Sequence, residues 1–140
     1  RVAVALDSKA KTLFQDLRAD IVKARGKGEA VSAHFMTSAV VLLLQNAAHD
    51  YQNSIVAGEV VDLPNYQNAW GLTQAARAIM ADISKLEREE HSGPLSEIDA
   101  ALQGLDELWP DLTGGKKPMA DGKLLAVAAA KAELSGMAIK

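Results

Sequence analysis

Apolar positions recur along the chain at steps of three and four, and nowhere alternate as in a strand. Leu6, Ala10, Leu13, Phe14, Leu17 and Ile21 make the stripe of an amphipathic helix over about Asp7 to Arg25, capped by Asp7 or Ser8 and broken by Gly26 and Gly28. A second stripe, Met36, Val40, Leu43, Ala47, Tyr51 and Ile55, predicts a helix from about Glu29 to Ala57. Val41, Leu42 and Leu44 widen that stripe to most of the circumference, so this helix is expected to be the most buried. Leu72, Ala76, Ile79, Ile83 and Leu86 show bundle-type heptad spacing and predict a third helix from about Leu63 to Glu90. Its tail, Lys85 to Glu90, is charged and reads as solvated. His91, Ser92 and Gly93 read as a break. Pro94 then opens a fourth helix carrying Ile98, Ala101, Leu102, Leu105 and Leu108 on one side, and Pro110 ends it. Thr113 to Lys117 reads as a flexible loop. An alanine-rich last helix follows, from about Pro118 or Asp121 to about Leu134, with Gly136 marking its end.

Five helices on short connections predict an all-α fold: an antiparallel up-and-down bundle with a four-helix core and one additional helix. The 140 residues fit a single domain, 1–140. Composition agrees, being 49% hydrophobic but only 4% aromatic, which favours close-packed helices over sheets. A net charge of −3 gives a nucleic-acid partner no electrostatic support. The absence of cysteine removes disulfides, thiolate metal sites, iron–sulfur clusters and c-type haem attachment. The longest apolar run, Ala39 to Leu44, falls well short of the ~20 residues a membrane span needs. The chain begins at Arg1, as a processed chain or a cut-out domain would.

Groups capable of chemistry converge by chain geometry only at the turn between the second and third predicted helices. Gly58 suits the end of one helix, Asp62 the N-cap of the next, and Pro64 its first turn. Tyr51 and Tyr66 bracket this turn, and His49, Asp50, Glu59 and Asp62 lie at the same end. Asp50, Glu59 and Asp62 offer hard oxygen ligands for iron, calcium or manganese, with Tyr51, Tyr66 or His49 completing the set. The competing reading makes these acids surface carboxylates and the tyrosines packing residues. Other candidates are weaker. No histidine has a glutamate three residues before it, which argues against a ferritin-like di-iron site. Glu87 and His91 stand four apart, but in the tail that reads as solvated. His34 and His49 are fifteen residues apart on one helix, ~22 Å along its axis, too far to share an ion. Met36 falls on the core stripe. No nucleophile elbow or phosphate-binding loop is present, so an enzyme is the least supported class. Trp70 and Trp109 read as anchors of the bundle.

Asp50-Tyr51, Val56, Gly58-Glu59-Val60 and Asn65-Tyr66, with apolar repeats on both sides, resemble the extracytoplasmic N-terminal helical domain of bacterial Ftr-type high-affinity iron permeases. The resemblance covers about residues 40 to 85. It is only architectural from 94 to 135 and absent from the first predicted helix. Where the family pattern has a glutamate before the second tyrosine, this chain has Asn65, one carboxylate fewer. The acidic membrane helices of the permeases are also missing.

The resemblance implies a non-enzymatic, periplasmic or extracytoplasmic domain linked to iron uptake. Such a domain binds or relays iron, or docks a metal-delivery or redox partner of a membrane permease domain, and a homo-oligomer is compatible with it. A helical ligand-binding sensor with a pocket near Trp70, or a purely structural interaction bundle, are the rival readings.

Overall fold

The computed structural model describes residues 32–118 and 122–139, together with four helical positions, Gln15, Asp16, Ala19 and Lys23. Apart from those four, the helix expected over Asp7 to Arg25 lies outside the described residues.

Helix α1 runs Ala33–Ser54, with the Ser32 hydroxyl accepting the Phe35 N–H as its N-cap. Met36, Val40, Leu43, Leu44, Ala47 and Tyr51 of its stripe are buried. Leu42 is not: it is 44% exposed, so the buried face is narrower than the apolar pattern suggests. The helix also stops short of Ala57. Ile55–Val56 (β1) and Glu59–Val60 (β2) form a minimal antiparallel pair, with Ile55 opposite Val60 and Val56 opposite Glu59. Ala57 and Gly58 turn the chain with φ of 53° and 79°. Two consecutive left-handed residues are what a tight two-residue hairpin requires. Gly58 adopts this conformation freely, whereas Ala57 does so against its own Cβ.

Helix α2 spans Leu63–Ala81. Asp62 caps it, its carboxylate accepting the Asn65 N–H at 3.2 Å, and Pro64 sits in the first turn. The helix ends at Asp82 rather than continuing to Glu90. A separate six-residue helix, α3, runs Lys85–Glu90 with Ser84 as N-cap, and Leu86 on it is 74% exposed. Helix α4 covers Ser92–Gln103, so only His91 separates it from α3, and Ser92 and Gly93 are helical. It tightens into a 3₁₀ turn over Gly104–Leu108. Helix α5 runs Lys123–Met137 and contains Gly136 in its last turn.

Four of these helices, α1, α2, α4 and α5, form the bundle. Helix α1 packs against both α2 and α5, α5 packs against α4, and the α2–α4 seam is the least populated side of the ring. Alanines at Ala128, Ala129 and Ala132 give α5 its buried face. At the end of the bundle away from the hairpin, the His34 ring Nδ1–H donates to the Ile139 carbonyl at 3.0 Å, tying the start of α1 to the end of α5. Met36 is buried in the core beside it, as expected.

Candidate functional site

The hairpin end brings the two tyrosines together, as their bracketing positions predict. Their ring centroids lie 5.7 Å apart, and Trp109 stands edge-on to Tyr51 at 5.4 Å. Both rings are buried, and both phenols point at one atom. Tyr51 donates to the Leu108 carbonyl oxygen at 2.9 Å and Tyr66 at 3.0 Å. Leu108 closes the 3₁₀ turn, where carbonyls have no partner within the helix, and the two phenols occupy both its lone pairs. The Trp109 indole N–H completes the lock by donating to the Tyr66 carbonyl at 3.0 Å. Close approach of α5 depends on the same rings: a Cβ at Gly122 would lie 2.8 Å from Tyr51. Burial, and then the nearby Asp111 charge, push the Tyr66 phenol up to about 12. Each phenol is thus engaged with a backbone carbonyl inside the packed end of the bundle.

The acids of this corner have separate engagements. Asp62 caps α2 and also accepts the Asn65 side-chain amide at 3.0 Å, so Asn65 serves the cap. Glu59 lies 3.3 Å from the Lys117 ammonium and is 63% exposed. Asp50 sits 3.6 Å from the ring of His49, which is 76% exposed. Among the described residues, no three of His49, Asp50, Glu59 and Asp62 bring their ligand atoms within 4.8 Å of one another. The structure therefore joins Tyr51 to Tyr66, Asp62 to Asn65, Glu59 to Lys117 and Asp50 to His49, and gathers none of the acids round a common point.

One such gathering exists among the described residues, and it lies elsewhere. Glu87, Glu90 and His91 place one ligand atom each within 4.8 Å of the others. Spacings of three and four put all three on one face of a single helical turn. The His91 Nε2 lies 3.4 Å from the Glu87 carboxylate, with side-chain exposures of only 16% and 20%. Glu90 is exposed, so the cluster is sheltered on one side and open on the other. The Lys85–Glu90 tail is thus not uniformly solvated. The sequence held a signal for this: Ser84-x-x-Glu87 is a helix-start signature, and the Ser84 hydroxyl accepts the Glu87 N–H at 3.2 Å. A new helix starts at Ser84, so this face belongs to α3 rather than to a continuation of α2.

Residues 29–137 match the family model of the iron permease-associated 4-helix bundle domain. The chain belongs to this family. No curated protein and no solved structure matches it. Membership agrees with the observed four-helix ring and ties the domain to iron permeases. Among the described residues no helix is long and apolar enough to cross a membrane, so none of them supplies an iron permease-associated domain with a helical span of its own.

Proposed function

We propose that this chain is a non-enzymatic, extracytoplasmic accessory domain that holds an iron ion on Glu87, Glu90 and His91 and passes it to a permease. The observation that carries the reading is the convergence of two carboxylates and an imidazole in a domain of an iron permease-associated family. Carboxylate and imidazole donors suit ferrous iron, with manganese or zinc as competitors. Three protein ligands leave the remaining positions to water or to a donor from a partner. That suits cargo which must leave again better than a resident cofactor.

Isothermal titration with ferrous iron under anaerobic conditions tests the proposal. The wild type should bind one ion. Glu87→Gln with His91→Ala should abolish binding, and Asp50→Ala with Glu59→Ala should leave it unchanged. Absence of binding to the wild type, or loss confined to the Asp50 and Glu59 variant, would overturn it.

A further inference from the structure

The sparse seam between α2 and α4 holds a cavity of about 420 Å³, lined by Arg77, Met80, Arg88, Asp99, Leu102 and Asp106 among others. Met80 and Leu102, at 2% and 3% exposure, form an apolar floor. Two guanidiniums, of Arg77 and Arg88, line it, and each has a backbone and a carboxylate partner. From inside, a backbone carbonyl anchors it: Arg77 donates to Leu102 O, and Arg88 donates to Met80 O at 2.6 Å. From outside, an aspartate pairs with it: Asp106 with Arg77 at 2.7 Å, and Asp99 with Arg88 at 2.9 Å. The two kinds of partner differ in how easily they are replaced. The carbonyls belong to the helix backbone. Asp106 is 75% exposed and Asp99 37%, so water reaches both carboxylates and can solvate them once displaced.

We propose that this cleft is a binding site for a small organic dicarboxylate. Each ligand carboxylate takes the place of one aspartate on a guanidinium that its backbone anchor keeps in position. Guanidinium forks recognise carboxylates bidentately, so two of them lining one cleft with an apolar floor suit two carboxylates joined by a carbon spine. The cavity lies within the ~300–1,000 Å³ range of small-molecule sites. The site goes beyond the iron reading and does not depend on it, because none of its contacts uses Glu87, Glu90 or His91.

The test is an amide NMR titration of the metal-free chain with succinate, against acetate, propylamine and sodium chloride at matched ionic strength. Succinate should give saturable shifts centred on Arg77, Met80, Arg88 and Leu102, with weak responses to the three controls. Arg88→Gln should weaken succinate binding about tenfold or more, the loss expected for a hydrogen bond to a charged group. Asp106→Asn removes one of the two competing carboxylates and leaves both arginines, so it should tighten binding several-fold. That variant decides the matter even if the arginine substitution unfolds the chain. No saturable shift, a response equal to that of chloride, or an Asp106→Asn affinity no better than wild type would overturn the proposal.

Discussion

The Leu108 carbonyl accepts two phenolic hydroxyls, and this one oxygen joins the ends of α1 and α2 to the turn that closes α4. The arrangement has a consequence at high pH. A phenol whose value rises on folding from 10.0 to about 12 binds its proton more tightly in the native state. Its contribution to stability is intact below pH 10 and is lost as pH climbs towards 12, where the unfolded chain has already released the proton. Urea midpoints should therefore be flat from pH 8 to 9.5 and fall between pH 10 and 12, and Tyr66→Phe should flatten that alkaline fall. An equal fall in the variant would contradict the assignment. The tyrosine pair was legible from its positions on either side of the turn. Its partner was not, because a backbone carbonyl 42 residues beyond Tyr66 leaves no mark in residue identity.

At the level of elements, the apolar spacing located α1, α2 and α4, because core-facing positions must repeat at the helical period, and alanine-rich composition located α5. It placed the ends less well. The run through Ile79, Ile83 and Leu86 looks continuous, yet α2 stops at Asp82 and Ile83 is buried in the link rather than in a helix. Ser84 starts α3 by capping it, and a cap acts through one local hydrogen bond that hydrophobic periodicity does not register. The hairpin was missed for a similar reason: two-residue strands are too short to alternate. Asp62 separates the cap reading from the ligand reading. Asp62→Ala should cost about 1 kcal/mol in chemical unfolding, and Asp62→Asn a few tenths, with ferrous iron affinity unchanged in both. A loss of iron binding in Asp62→Asn with stability intact would return the ion to the hairpin corner.

On the scale of the whole molecule, the ring of four helices is closed tightly on three sides and loosely on the fourth. The loose side is bridged by Arg77 and Arg88, and it is bounded by α3, the short helix that also bears Glu87 and Glu90. The proposed iron ligands and the arginine-lined cleft therefore both lie beside the break between α2 and α4. The hairpin end, to which the tyrosines draw attention in the sequence, is a packed lock. Family membership and the all-α bundle were both readable from the residues. The clustering of Glu87, Glu90 and His91 was not, because it depends on Lys85–Glu90 forming a helix of its own from Ser84. The most direct measurement is iron-edge anomalous diffraction from crystals of this chain soaked anaerobically in ferrous salt. The account predicts one strong peak bounded by the Glu87 and Glu90 carboxylates and the His91 ring. A crystal with no peak there, or with its peak beside Asp50 and Glu59, would contradict it.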